Sequence, residues 1–176
     1  MTEPVAKQLT YLPIARELVV ERCAQHPFLL QTLCNRIYEH AAESGERTIT
    51  PSTVASAMDE MVRDNEHFRT LWDYAQTHRR QLILTLCERL ASNPDPVNLD
   101  LIHAQLDELR VRVERESQIG DDLEFLRELE LIELDKNYRG GTYRIAVPLF
   151  GMWIQKSIDY DDTIGRAREE AESEYQ

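Results

Sequence analysis

Basic side chains cluster around a predicted β-hairpin and could contact nucleic acid. Lys136, Arg139 and Arg144 lie within nine residues of one another, and the aromatic Tyr138 stands among them. A basic hairpin tip that carries an aromatic residue is able to touch a phosphate backbone. The alternative is a solvated turn whose charges face water and bind nothing.

The helix predicted before this hairpin argues against DNA binding. Residues 121–130 carry five carboxylates and one arginine, which phosphates would repel. The whole chain has a formal charge of −12, but it divides unevenly into −3 for residues 1–65, −4 for 66–158 and −5 for 159–176. The case against DNA therefore depends more on the acidic helix than on the total charge.

Catalytic and metal-binding patterns are absent from the sequence. None of the 6 glycines lies in a P-loop or dinucleotide-binding frame, so the chain lacks a Walker A segment. A Walker B segment is not found either, and the chain is expected not to be an enzyme by itself. Cys23, Cys34 and Cys87 are odd in number and widely spaced, which predicts reduced thiols on apolar faces in a cytoplasmic protein. No C-x-x-C or H-x-x-x-H spacing indicates a metal site, and no signal peptide or membrane span is expected.

Helical spacing predicts a small bundle over residues 14–65, preceded by a linker over 1–13. Pro27 and Pro51 are each suited to the first position of a helix, and Thr50 is suited to cap the second of these. The predicted buried stripes are Ile14, Leu18, Val19 and Cys23 in one helix; Leu30, Leu33, Cys34, Ile37, Tyr38 and Ala41 in the next; and Val54, Ala57, Met58, Met61 and Val62 in the third.

The order of elements over residues 66–158 predicts a winged-helix domain. A long apolar stripe from Phe68 to Leu90 pauses at 76–78, at a kink or at a break between two helices. Asn98 is expected to cap a short helix, and Asp121 and Asp122 to open another. Alternating residues on both sides of a Gly-Gly turn then predict a two-stranded hairpin, followed by a helix after Pro148 and an acidic tail over 159–176.

Three further features have both a functional and a structural interpretation. Arg79, Arg80 and Arg89 could mark a joint with a partner domain, or a solvated face. A surface helix over 107–116 could dock a partner, although its period also fits an irregular segment. Trp72 and Trp153 lie in apolar stripes and are expected to anchor the core.

Several segments together resemble the signal-transducing, archaeal-type AAA+ ATPases of the STAND class. Residues 25–34 resemble the G-h-P-[YF]-L-L-Q-x-L-C stretch of the family's helical lid. Residues 143–153 resemble the Y-r-f-x-V-P-L-f-x-x-W ending of the winged helix that follows the lid. Ile49-Thr50, Phe68-x-x-Leu71-Trp72 and Leu131-Ile132-Glu133 continue the match in the same order. The resemblance covers most of residues 14–157.

The resemblance implies a mostly α chain with a helical lid followed by a winged helix. It implies a non-catalytic regulatory and protein-interaction module whose partner is an upstream ATPase core or another protein, with self-association as a further option and no membrane partner. ATP or ADP is implied for a full-length parent only, where His26 and Pro27 would contact adenine; no cofactor is expected in this chain. Gln25 stands where the family has glycine. The alternative function is a DNA-binding winged-helix regulator.

Overall fold

Helices account for most of the chain, and one antiparallel hairpin accompanies them, as the sequence predicts. The structure is a computed structural model that describes residues 9–63, 66–92, 94–113, 115–137 and 141–173. These residues form two compact units. The first comprises 9–63 with 147–149, and the second comprises 66–146 with 150–173.

The first unit contains three helices and a short parallel strand pair. Its elements are β1 (Thr10–Tyr11), α1 (Pro13–Arg22), α2 (Pro27–Ser44), β2 (Thr48–Ile49) and α3 (Pro51–Arg63). Thr10 pairs with Thr48 and Tyr11 with Ile49. The predicted linker therefore includes a strand at 10–11, because this backbone finds hydrogen-bond partners in the segment before α3.

The stripe predicted for α2 is confirmed at Leu33, Ile37 and Ala41 and wrong at Cys34 and Tyr38, and Leu29 is buried in place of the half-buried Leu30. Leu29, Leu33, Ile37 and Ala41 are buried at intervals of four, whereas Cys34 and Tyr38 are exposed. This row forms a single ridge against α3, which leaves the neighbouring i+1 positions outside the contact. The stripe predicted for α3 is confirmed, and Thr50 Oγ1 accepts from Thr53 N at 3.2 Å as its cap.

The stripe predicted for α1 is wrong in one important position. Ala15, Val19 and Cys23 are buried at four-residue intervals, while Ile14 is 68% exposed. The small Ala15 faces α3, so the branched Ile14 next to it lies on the outer side.

The second unit is built around one helix that is buried on nearly every side. Residues 82–87 of α5 (His78–Arg89) are all buried, and the helix packs against helices before and after the hairpin. Its elements are α4 (Glu66–Asp73), α5, α6 (Leu99–Glu108), α7 (Glu116–Glu128), β3 (Ile132–Asp135), β4 (Thr142–Ile145), α8 (Pro148–Ser157) and α9 (Tyr160–Ser173).

The helix ends in this unit resolve the alternatives that the sequence leaves open. Thr77 caps α5 by accepting from Arg80 N at 3.2 Å, so the pause at 76–78 is a break between two helices. Asn98 caps α6 through Leu101 N at 2.9 Å, as predicted. Residues 109–113 are not helical and Arg110 has φ +56°, so the irregular alternative holds there, and a continuous surface helix over 107–116 does not form.

Helix α7 begins earlier, and the C-terminal segment is more ordered, than predicted. The helix starts at Glu116, which places Asp122 inside it with 1% exposure. Ile119, Leu123 and Leu126 are buried on the same face. The predicted acidic tail contains α9, which packs on α5 through Ile164, Ala167 and Ala171. Alanines are only weakly hydrophobic, so they do not mark a buried helix face clearly in the sequence. Their small size nevertheless allows two helices to approach closely.

The hairpin has the predicted strands, and one further segment lies beside it. Ile132 pairs with Ile145 and Asp135 with Thr142. On the other side of β4, Tyr143 N donates to Val97 O at 2.7 Å, and Val97 N donates to Thr142 Oγ1 at 2.9 Å. The loop before α6 thus extends the hairpin by one extended residue, as expected in a winged-helix-like arrangement.

Four aromatic rings form the core beside α5. Phe150 and Trp153 are stacked with centroids 5.9 Å apart, and Trp72 meets Trp153 edge to face at 6.1 Å. Phe68 lies 6.0 Å from Phe150 and is fully buried. Both tryptophans are core anchors, as the sequence predicts.

Gly141, immediately before β4, has a backbone conformation that strains any other residue. Its φ is +75°, and a Cβ would lie 2.6 Å from Leu134 Cδ1. We expect Gly141→Ala to lower the free energy of unfolding by about 1–2 kcal/mol because an L-residue is strained there. Gly120→Ala is the matched control. Its Cβ would meet nothing within 4 Å in α7, so the change should stabilise by about 0.5–1 kcal/mol. Urea unfolding measures both, and equal effects would contradict the prediction.

Candidate interaction surfaces

The structure describes two of the three basic residues predicted for the hairpin, Lys136 and Arg144. Arg144 lies opposite Glu133 in the strand register, and its Nε donates to Glu133 Oε1 at 2.6 Å. Asp135 Oδ2 lies 3.7 Å from the same guanidinium. Lys136 is exposed in the turn after β3, and Arg139 lies outside the described residues, as does Tyr138. The strand carboxylates therefore compensate the one predicted arginine whose side chain the structure describes.

The exposed face of α7 and the turn after it is acidic. Asp121, Glu124, Glu128 and Glu130 are all exposed, and Leu129 beside them is 38% exposed. In a winged-helix arrangement the helix before the hairpin is the one that would enter a DNA groove. Four carboxylates on that surface would repel phosphates.

Asp122 forms a buried ion cluster that the sequence interpretation missed. Its Oδ2 accepts from Arg79 Nε at 2.6 Å, and its Oδ1 accepts from Arg80 Nε at 2.7 Å. The side chain of Asp122 is 2% exposed, against 12% and 18% for the two arginines. Arg79 and Arg80 are thus not a solvated face, because their guanidiniums are mostly buried against Asp122.

Neighbouring contacts connect the same arginine cluster to α9. Arg79 N donates to Glu170 Oε2 at 3.0 Å, and the guanidinium of Arg80 lies 3.7 Å above the ring of Phe125. Arg89 lies 4.1 Å above the ring of Tyr160. The sequence carried a signal for the burial of Asp122, which stands in the apolar stripe of α7, but none for its arginine partners.

His26 and Pro27 stand at a sharp turn between α1 and α2. Pro27 occupies the first helical position as predicted, and the exposed His26 is the N-cap residue. Ala24 and Gln25 before them have φ +46° and +60°. Gln25 therefore occupies the left-handed conformation that glycine adopts without strain.

The cysteines differ in exposure. Cys23 and Cys87 are buried, and burial raises the pKa of each thiol to about 12, so both stay protonated at neutral pH. Cys34 is exposed, so the prediction of three core thiols is wrong at this position. Burial raises the pKa of Tyr11 to about 12, and a hydrogen bond with Cys34 adds to that shift.

Among the described residues no cluster of His, Cys, Asp or Glu is suited to a metal ion.

Large apolar side chains are exposed along the first unit. Four of them lie within residues 12–28, in or beside α1 and at the start of α2, and a fifth follows in α2: Leu12, Ile14, Val20, Phe28 and Tyr38. Ile14 is the most exposed of the large apolar residues, and Phe28 is 51% exposed. Exposed apolar side chains that form one patch are typical of a protein contact, whereas single ones are common on any protein surface. The sequence indicates this surface through apolar residues that do not belong to the rows buried at four-residue intervals in α1 and α2.

No family model, curated protein or solved structure matches this chain. Within the described ranges, no helix has the length and apolar character needed to cross a bilayer. The functional argument therefore depends on the residues and their geometry.

Proposed function

We propose that this chain is a regulatory and protein-interaction module of the lid and winged-helix type found in signal-transducing AAA+ ATPases. The order of elements supports this: a helical unit over 9–63 comes before a winged-helix-like unit over 66–173. The motifs at 25–34 and 143–153 lie at the start of α2 and through β4 into α8. In this proposal the chain supplies contacts rather than catalytic groups.

The exposed apolar segment of the first unit is the observation that carries the proposal. Leu12, Ile14, Val20 and Phe28 place branched and aromatic surface in water within 17 residues of chain. Burying one such side chain contributes about 1.5–3 kcal/mol, so a partner that covers several would bind firmly. We therefore assign the partner contact to the outer side of α1 and the start of α2.

A photo-crosslinking experiment tests this assignment. Benzoylphenylalanine replaces Ile14 in the full chain, and a control carries it at Glu128, an exposed residue of α7. We expect the Ile14 position to capture a protein with Walker A and Walker B motifs, and the Ile14→Asp variant to lose that partner in a pull-down. Capture of a second copy of this chain alone, or of the same proteins from both positions, would contradict the proposal.

DNA binding is the alternative function, and the exposed carboxylates of α7 make it the less favoured of the two. We expect a random-sequence duplex titrated at low salt to show no binding that falls steeply with added salt, because α7 exposes carboxylates and Glu133 compensates Arg144. Fluorescence anisotropy of a labelled duplex measures this. Steeply salt-dependent binding that is lost in a Lys136→Glu, Arg139→Glu variant would favour the DNA-binding alternative.

A further inference from the structure

A polar pocket lies where four helices of the second unit meet. Its volume is about 370 Å³, and α4, α5, α8 and α9 all contribute to its walls. The lining includes Trp72 and Trp153, whose indole rings meet edge to face, and charged residues from α4 and α9. Neither the apolar surface of the first unit nor the Asp122 cluster involves this pocket.

A chain of hydrogen bonds fixes how His78 faces a ligand. Gln81 Nε2 donates to Trp72 O at 3.3 Å, which leaves its Oε1 to accept from His78 Nδ1 at 3.0 Å. The proton of a neutral His78 is therefore on Nδ1, and the lone pair is on Nε2. Within the described residues Nε2 makes no hydrogen bond, so it remains an acceptor for an N–H donor.

The carboxylates of the pocket add further acceptors. Asp73 forms no ion pair with any described residue, and Asp159 uses only Oδ1, which accepts from Asp162 N at 3.0 Å at the start of α9. Asp162 is paired with Arg166 at 2.9 Å. Three carboxylates and two guanidiniums leave one net negative charge on the lining while His78 is neutral.

We propose that this pocket receives an arginine side chain presented by a partner protein. A guanidinium offers five N–H donors in a plane and matches dispersed acceptors such as His78 Nε2 and the carboxylate of Asp73. Its weak hydration suits a pocket whose lining includes the largely buried Trp72 and Trp153. The inference rests on the proposed function, and it names the chemistry of one partner contact in the second unit.

Tryptophan fluorescence tests this pocket directly, because both tryptophans of the sequence line it. The full chain is titrated with N-acetyl-arginine methylamide, and in parallel with the citrulline, lysine and glutamate counterparts. We expect a saturable change with arginine, none with the neutral citrulline isostere or with glutamate, and a weaker change with lysine. No saturable change with arginine, or an equal change with citrulline or lysine, would overturn the inference.

Two substitutions in α4 should shift the affinity in opposite directions. Asp73→Asn removes an attractive charge and should weaken arginine binding about two- to fivefold, while Arg69→Gln removes a repulsive one and should strengthen it by a similar factor. Asp121→Asn, on the exposed face of α7, should change nothing. Circular dichroism checks that each variant is folded. Unchanged affinity in both α4 variants would overturn the inference.

The outcomes separate this inference from the proposed function. Capture of an ATPase core at Ile14, together with no arginine binding at the pocket, leaves the module proposal standing and overturns the pocket assignment. Arginine binding without any ATPase partner at Ile14 supports the pocket but contradicts the assignment to an ATPase.

Discussion

Replacing Asp122 with asparagine should lower the free energy of unfolding of the second unit by about 3–5 kcal/mol. Arg79 and Arg80 lie 2.6 and 2.7 Å from the carboxylate and are mostly buried, so the variant removes the charge that both guanidiniums contact. An amide also turns an N–H donor towards these cations. Urea unfolding followed by tryptophan fluorescence reports on this unit, since both tryptophans lie in it.

Two comparison variants separate the ion cluster from general effects on α7. Asp121→Asn is the adjacent, exposed substitution and should change stability by less than about 0.5 kcal/mol. An apolar triple variant, Arg79→Met with Arg80→Met and Asp122→Leu, should recover most of the loss, because no unpaired charge remains buried. If Asp122→Asn destabilises no more than Asp121→Asn, the buried cluster does not hold α7 to α5.

Phe68→Ala should destabilise the second unit by about 3–5 kcal/mol. The ring is fully buried, with centroids 6.0 Å from Phe150 and 6.5 Å from Trp153. Truncation removes this apolar contact and leaves a cavity between α4 and α8. The stacked aromatic rings around it cannot readily move to fill the space. The same urea titration measures the loss.

Phe28→Ala is the matched control for that substitution, because the residue type is the same and 51% of the side chain is exposed. We expect it to cost less than about 1 kcal/mol and to leave the tryptophan-monitored transition of the second unit in place. Equal losses from Phe68 and Phe28 would show that the aromatic cluster contributes nothing beyond ordinary surface packing. A specific loss of partner binding in Phe28→Ala is expected from the proposed function.

Strong helical and strand signals made most of the fold predictable. Pro51 with Thr50 marks the start of α3, Asn98 marks that of α6, and alternation on both sides of Gly141 marks the hairpin. The errors occurred where tertiary packing selects among similar residues. On α2 either Leu29 or Leu30 could have faced the core. Leu29 is the buried one, because it lies in the row of side chains that packs against α3.

The candidate surfaces were harder to predict because they depend on contacts distant in sequence. Asp122 lies 42 and 43 residues from the arginines that it binds, so local spacing could not show the pair. Arg144 was predicted as a basic residue, but only the strand register places Glu133 opposite it. The pocket near Trp72 needs α9, which the sequence presented as an acidic tail because alanines form much of its buried face.

We propose that this chain regulates an ATPase through the apolar surface around Ile14. The most direct measurement is the steady-state ATP hydrolysis rate of the Walker-motif protein captured at that position, with and without the full chain. The account predicts a saturable change in rate of at least about twofold. It also predicts that Ile14→Asp abolishes this change and that Asp121→Asn preserves it. A hydrolysis rate and an assembly state that do not respond to the chain at saturating concentration would contradict the account.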